Sequence, residues 1–274
     1  MAPTVAPVRR SPVVWLVGGL IALAALVLYA LSNPEHYNFY NHFVWQADAY
    51  LHGRAWFPYP VPTGQALPQN DWFQDVYPIE VANGSPYGQV LLPFPPLPAL
   101  VLVPFVALWG LATDQEAIAI GLGVLGVLLT FWMLGGLRLR LAVRTLTTLL
   151  FATGTVWWWA TAVGSTWYLA HLVAVNVALL AVGVTLRNDP KAAEEDPWDE
   201  AEAVDQALEA GGPVSRGRRL LRSSWPPDRS QVLAGFLLGV AVTARLPLIF
   251  AAPWFVLVGG GGGAHQDEPR RGED

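Results

Sequence analysis

Residues 145–186 have the sequence TLTTLLFATGTVWWWATAVGSTWYLAHLVAVNVALLAVGVTL and contain no Asp, Glu, Lys or Arg. As an α-helix this run would be about 60 Å long, enough for two passes through the roughly 30 Å hydrocarbon core of a bilayer. Gly164-Ser165 interrupts it near the middle. Aromatic side chains, which favour the membrane–water interface, crowd the interruption: Trp157, Trp158, Trp159, Trp167 and Tyr168. The stretch therefore predicts a hairpin of two transmembrane helices whose turn lies at a membrane surface.

The composition of the whole chain agrees with an integral membrane protein, because 53% of its residues are hydrophobic and a soluble domain is rarely so apolar. The absence of cysteine excludes disulfides, a thiolate nucleophile and zinc–sulfur sites. No basic stretch is interleaved with aromatic residues. The predicted partner is therefore a lipid bilayer and not a nucleic acid.

Further apolar runs cover residues 13–31, 93–113, 117–137, 230–244 and a last stretch that reaches Gly259. Prolines concentrate in the run at 93–113 and disrupt helical hydrogen bonding, so we expect it to lie on the outer membrane surface. The run at 13–31 is longer than a usual signal-peptide core and is predicted to be a retained helix, with a signal peptide as the alternative. The sequence thus predicts an all-α polytopic membrane protein of about six transmembrane helices, with a long outer loop that contains juxtamembrane helices.

Basic residues set the predicted orientation, because cytoplasmic loops carry an excess of Lys and Arg. One basic cluster follows the run at 117–137, and a second lies within 187–229. If the run at 93–113 does not cross, both clusters face the cytoplasm and only Arg54 and Arg245 lie outside. We therefore expect a cytoplasmic N-terminus in the plasma (inner) membrane. A crossing run at 93–113 is the alternative and would place both clusters outside.

The chain divides into four predicted regions. Residues 1–187 form an N-terminal membrane module whose outer loop covers 32–113. Residues 188–229 are polar, with little periodicity, and predict a disordered cytoplasmic loop. Residues 230–259 hold two further membrane helices, and the tail at 260–274 is predicted to be disordered.

The outer loop is acidic and aromatic. Its segment NHFVWQADAYLHGR has helical periodicity up to Gly53, which predicts an amphipathic juxtamembrane helix. Asp48 and His52 are four residues apart, so their side chains can meet. Asn83-Gly84 lies between strand-like segments and predicts a small β-hairpin.

Several stretches resemble the polytopic glycosyltransferases of the GT-C fold, which use polyprenyl-phosphate sugars and include protein O-mannosyltransferases and aminoarabinose transferases. They are NHFVWQADAYLHGR at 41–54, PFPPLPALVLVPFVALWG at 93–110, GTVWWWATAVGSTWYLAHLVAV at 154–175 and AGFLLGVAVTARLPLIFAAPW at 234–254. Members carry a catalytic acid in the first outer loop, followed by a Pro-Pro-Leu segment that Pro95-Pro96-Leu97 matches. The acidic pair usual in these relatives is absent, and Asp48 is the nearest acid. Relatives are also longer, so the resemblance implies a truncated member.

The resemblance implies transfer of a sugar from a polyprenyl-phosphate donor to an acceptor at the outer membrane face. Asp48 is the expected catalytic base or cation ligand, assisted by His42 and His52. The alternative is that Asp48 is a solvated acid on a surface helix and that the histidines are ordinary loop residues. The metal is unknown, and a divalent cation is the cofactor that such an acidic loop would suit.

Residues near the predicted membrane surface complete the candidate site. Arg245 stands at the end of an apolar run, where its guanidinium can bind the donor phosphate or simply extend to the headgroups. Trp158 is a candidate for contact with the substrate, or an interface anchor. His171 lies inside a predicted span and either contacts substrate or is a neutral histidine bonded to another helix. A non-catalytic or truncated membrane protein and a transporter subunit are the alternative functions.

Overall fold

The computed structural model describes residues 12–34, 40–59, 76–81, 88–137, 139–188 and 229–245. Its α-helices are α1 (Pro12–Ser32), α2 (His42–Leu51), α3 (Leu97–Trp109), α4 (Gln115–Leu134), α5 (Leu141–Thr153), α6 (Val156–Val163), α7 (Thr166–Asn188) and α8 (Arg229–Val242). Short 3-10 turns extend α3 and α4. Its strands are β1 (Phe57–Tyr59), β2 (Tyr77–Val81) and β3 (Gly88–Leu91).

Helix α4 is the centre of a bundle and contacts α1, α5, α6 and α7. Helices α5 and α6 together run back along α4, because Arg144 lies against Gly135 below α4 and Gly164 lies against Glu116 at its start. Helix α7 then follows α4 in parallel, and the end of α8 meets the start of α7. We call the end of the bundle that holds Gln115 and Gly164 the upper end, and the opposite end the lower end.

Glycines let the central helices approach closely. A Cβ atom at Gly126 of α4 would overlap the ring of Trp157 in α6, and one at Gly183 of α7 would overlap the ring of Trp132 in α4. Each indole therefore fills the space that a side chain on the facing helix would take. This packing fixes α6 and α7 on either side of α4.

Three helical segments are long and apolar enough to cross a membrane: Pro12–Ser32, Gln115–Leu137 and Thr166–Arg187. The described residues are therefore mostly helical and contain three candidate spans, where the sequence predicts about six for the whole chain. The apolar helices Leu97–Ala112, Leu141–Thr153 and Gln231–Val242 are shorter. The second helix predicted within 230–259 lies outside the described residues.

The run at 145–163 was expected to form one helix, and the structure divides it. Helix α5 ends at Thr153, and Thr155 begins α6 as an N-cap whose Oγ1 accepts from the backbone N–H of Trp157. The same hydroxyl donates to the carbonyl oxygen of Phe151, so a single side chain stabilises both sides of the break. The predicted turn at Gly164 is confirmed, since Gly164 ends α6 with a φ of 57°.

The segment between α1 and α4 forms a layer at the upper end. Its strands make an antiparallel sheet in the order β1-β3-β2, with Phe57 opposite Val90. Pairing of β2 with β3 confirms the predicted hairpin strands, although the Asn83-Gly84 turn lies outside the described residues. So do most of the predicted loop at 188–229 and the whole predicted tail at 260–274.

Helix α2 is buried rather than spread on a surface. Phe43, Val44, Trp45 and Ala47 are all buried, and the helix packs mainly against α3. Its predicted end is confirmed, because Gly53 adopts a φ of 67° two residues after Leu51. An amphipathic pattern alone does not distinguish a helix that lies on a bilayer from a helix that is buried against another helix.

Candidate functional site

Arg245 and His171 meet at the upper end, although 74 residues separate them in the sequence. A guanidinium nitrogen of Arg245 lies 2.5 Å from Nε2 of His171, and it also donates to the carbonyl oxygen of Trp167 at 3.2 Å. Because a guanidinium is only a donor, His171 must accept through Nε2 and is therefore neutral, with its proton on Nδ1. His171 therefore bonds to Arg245, three residues after the end of α8, and its proposed contact with substrate stays a prediction.

Arg245 keeps unused donor capacity. Its Nε is buried and has no hydrogen-bond partner among the residues that the structure describes. Burial lowers the pKa of the guanidinium, which nevertheless stays protonated in proteins. A buried N–H without a partner is costly unless an anion or water completes its bonding.

His42 connects the layer at the upper end to α7 through a hydrogen bond and is not exposed in the loop. Its side chain is 1% exposed, and Nδ1 lies 3.1 Å from Oγ1 of Thr166. The hydroxyl hydrogen of Thr166 is already donated to the carbonyl oxygen of Tyr40 at 2.6 Å, so His42 must donate through Nδ1. This geometry supports a positioning role for His42 and provides no path from it to a substrate.

Gln115 completes the same connection from α4 and was missed by the sequence analysis. Its Nε2 donates to the carbonyl oxygens of Tyr40 at 3.1 Å and Gly164 at 2.9 Å. Glu116 follows it and is 1% exposed. One sequence feature could have identified Gln115. The polar residues Asp114-Gln115-Glu116 stand at the start of an otherwise uncharged run, where a transmembrane helix would contact the layer at the upper end.

Asp48 and His52 meet as predicted. Nδ1 of His52 lies 2.8 Å from the backbone carbonyl oxygen of Asp48 and 3.5 Å from its carboxylate. The Asp48 side chain is 23% exposed and that of His52 is 60% exposed, so a solute can reach both. His42 bonds to Thr166. Within the described ranges no group of three or more His, Cys, Asp or Glu could hold a metal ion.

Trp158 lies beside a cavity of about 540 Å³ between the end of α1 and α6. Its indole N–H donates to Oγ of Ser32 at 2.7 Å, and the neighbouring Trp159 donates to the hydroxyl of Tyr168 at 3.1 Å. Both indoles are therefore oriented by internal hydrogen bonds. Their ring faces are what remains available to a ligand or to the bilayer interface.

An apolar groove of about 720 Å³ separates α3 from α4 in the upper half of the bundle. Phe105 and Trp109 of α3 line one side, and their rings stack with centroids 6.2 Å apart. Ala117 and Gly121 of α4 line the other side. The small residues on α4 leave the space that makes the groove.

In comparisons with known proteins, no family model, no curated protein and no solved structure matched this chain.

Proposed function

We propose that this chain is a membrane glycosyltransferase that moves a sugar from a polyprenyl-phosphate donor to an acceptor at its upper end. The observation that supports this function best is the Arg245 cluster. A guanidinium with an unused buried Nε provides the planar donor that a phosphate group binds well. It stands at the upper end of an apolar bundle, beside the first turns of α7, where the phosphate of an amphipathic donor would lie.

The proposed reaction is a displacement at the anomeric carbon of the donor sugar. A hydroxyl oxygen of the acceptor forms the new bond to that carbon while the bond from carbon to the phosphate oxygen breaks. Asp48 takes the proton of the acceptor hydroxyl, and Arg245 stabilises the departing polyprenyl phosphate. The Asp48–His52 pair suits this role, because a solute can reach both side chains.

The same proposal places the upper end outside the plasma membrane and the N-terminus in the cytoplasm. Its support is the distribution of basic residues, since Arg144 and Arg187 both bond to carbonyl oxygens near the lower end of α4.

Single cysteines at Ala55, after α2, and Ala142, in the first turn of α5, test this orientation in a chain without native cysteine. An impermeant thiol reagent added to intact cells should label position 55 and spare position 142. The reverse pattern would overturn the orientation.

The function itself is tested with the purified chain in nanodiscs and a polyprenyl-phosphate sugar that carries a labelled sugar. Wild type should release polyprenyl phosphate and move the label to acceptors extracted from membranes. A transporter subunit would carry the label across a vesicle membrane with the donor intact, and a non-catalytic protein would do neither. Either result would contradict the proposed transfer.

A further inference from the structure

The groove between α3 and α4 carries a negative charge at its upper end. Among the described residues that line the groove, Asp114 is the one ionisable side chain. Trp109, the last residue of α3, lines the same end. Below Asp114 the lining is apolar as far as Leu125, a distance of about 16 Å along α4. The groove therefore combines an acidic and aromatic upper end with a long apolar remainder.

Asp114 can bind a cation and keep its place in the fold. Its Oδ1 accepts from the N–H of Ala117 at 3.0 Å and so caps α4. Its Oδ2 makes no hydrogen bond or ion pair with residues of the described ranges, and the side chain is exposed. Because each carboxylate oxygen is an acceptor in its own right, an ammonium group can donate to Oδ2 while the cap remains.

Trp109 adds a second attraction for a cation at this end. Its side chain is 59% exposed, so part of its ring is accessible. The ring stacks with that of Phe105, one helical turn below, at an interplanar angle of 16°. An indole face attracts an ammonium ion, and the ring of Phe105 continues the same side of the groove with an apolar surface. The cation and the hydrocarbon of one molecule can therefore contact adjacent rings.

The order of these groups selects one kind of amphiphile. Asp114 borders the apolar lining directly, since Ala117 and Ile118 follow it in the groove. An ammonium group that is joined directly to a hydrocarbon chain can pair with this carboxylate while the chain lies along the groove. A phospholipid instead carries a phosphate between its chains and any ammonium group, and the carboxylate of Asp114 repels that phosphate.

We infer that the α3–α4 groove binds a long-chain alkylammonium ion. The ammonium group pairs with Asp114 and contacts the ring of Trp109, and the chain packs against Phe105 and over Gly121. Neither Asp48 nor Arg245 lines this groove, so the inference does not depend on the proposed glycosyltransferase function.

Two labelled probes with the same chain test the inference, hexadecylammonium and hexadecanol. Their binding is measured with the protein in phosphatidylcholine nanodiscs and is corrected for partition into nanodiscs without protein. Wild type should bind the amine about tenfold more tightly than the alcohol, because only the amine forms a charge-assisted hydrogen bond and a cation–aromatic contact. Equal affinity for the two probes would overturn the inference.

Asp114→Asn removes the charge and keeps the cap, since asparagine caps a helix as well as aspartate does. It should weaken binding of the amine about three- to tenfold and leave binding of the alcohol unchanged. Asp48→Asn is the matched control, because it removes an acid that does not line the groove, and it should bind both probes as wild type does. Equal losses of amine binding in the two variants would reduce Asp114 to a part of the general surface charge and overturn the inference.

Gly121→Leu tests whether the chain lies in the groove. No atom lies within 4 Å of the position that a Cβ would occupy at Gly121, so a leucine has room to extend into the groove. It should weaken binding of both probes about tenfold, because several methylene groups lose their site. Gly19→Leu on α1, where the surroundings are equally open, should bind both probes as wild type does. Undiminished affinity in Gly121→Leu would overturn the inference. So would displacement of the amine when phosphatidylethanolamine replaces phosphatidylcholine, because a phospholipid would then be the occupant.

Discussion

Arginine side chains lie at both ends of the bundle, but the two ends hold them differently. At the lower end, Arg144 Nε donates to the carbonyl oxygen of Phe131, and its guanidinium lies 3.7 Å from the centre of the Phe131 ring. Arg187 repeats the arrangement on Trp132, with a donated hydrogen bond and a ring contact at 4.6 Å. Arg144 and Arg187 therefore each contact α4 through a carbonyl oxygen and an aromatic face.

At the upper end, Arg54 and Arg245 each have a buried Nε without a partner among the described residues. Arg54 lies over the ring of Trp56 at 5.0 Å, whereas Arg245 contacts no aromatic face that the structure records and bonds to His171 instead. The contacts of Arg144 and Arg187 stabilise the bundle, whereas we propose that Arg245 keeps a donor for a ligand.

The largest expected effect is that of Asp48→Asn on sugar transfer. Loss of a general base typically lowers turnover by roughly 10²–10⁴-fold, while donor affinity should stay within about twofold because the phosphate site is untouched. The measurement is single-turnover release of polyprenyl phosphate from the labelled donor.

Asp114→Asn is the matched control for Asp48→Asn. Asp114 is an exposed acid at the same end, and its Oδ1 caps α4 by accepting from the N–H of Ala117 at 3.0 Å. Asparagine caps a helix as well as aspartate does, so this variant removes a charge and keeps the fold. Equal losses in both variants would mean that negative charge at the upper end matters in general and that Asp48 is not the base.

The next largest effect concerns donor affinity at Arg245. Hydrogen bonds to charged groups contribute about 1.5–3 kcal/mol, so Arg245→Ala should weaken donor binding roughly ten- to hundredfold. Arg245→Lys should bind with intermediate affinity, because lysine keeps the charge and loses the planar fork. Donor-lipid affinity in nanodiscs is the measurement. Arg144→Lys is the lower-end control and should bind as wild type does; wild-type affinity in Arg245→Lys would leave Arg245 as a membrane anchor only.

Local features of this fold were predictable because they depend on neighbouring residues. The turn at Gly164, the helix end at Gly53 and the contact of Asp48 with His52 follow from backbone freedom and helical spacing. The break between α5 and α6 also had a local signal, a glycine followed by the N-cap Thr155. The sequence-based prediction did not use this signal. An uncharged apolar run of that length predicts a transmembrane span, even where a capping residue lies inside it.

The other features of the fold and of the candidate site depend on contacts between segments that are distant in the sequence. No periodicity indicates that Arg245 reaches His171, or that Tyr40 is bonded by both Gln115 and Thr166. The burial of α2 has the same origin, since its partner α3 lies beyond a long loop. The roles of the candidate residues therefore stay predictions, and the way the structure groups them could not be read from the sequence.

The free energy of unfolding should change less than donor binding, but it distinguishes the arginines of the two ends directly. Arg144→Lys should lower the free energy of unfolding by about 1–2 kcal/mol, because it removes the Nε bond to Phe131 and weakens the ring contact. Arg245→Lys should lower it by about half as much or less, since Nε of Arg245 makes no bond to lose. Reversible unfolding in mixed detergent micelles measures both. Equal losses in the two variants would contradict the division between a stabilising end and a binding end.

The smallest expected effect is at His171, which orients Arg245 by accepting one of its hydrogens. A neutral hydrogen-bond acceptor contributes about 0.5–1.5 kcal/mol, so His171→Leu should weaken donor binding by roughly two- to tenfold. Gln can still accept through its side-chain oxygen, and His171→Gln should therefore recover most of the affinity. Turnover of bound donor should not change in either variant, because His171 acts through Arg245 and does not touch the reacting carbon. If His171→Leu and His171→Gln lowered turnover equally at saturating donor, His171 would contact the substrate itself, and the upper-end arginine would not depend on it for its position.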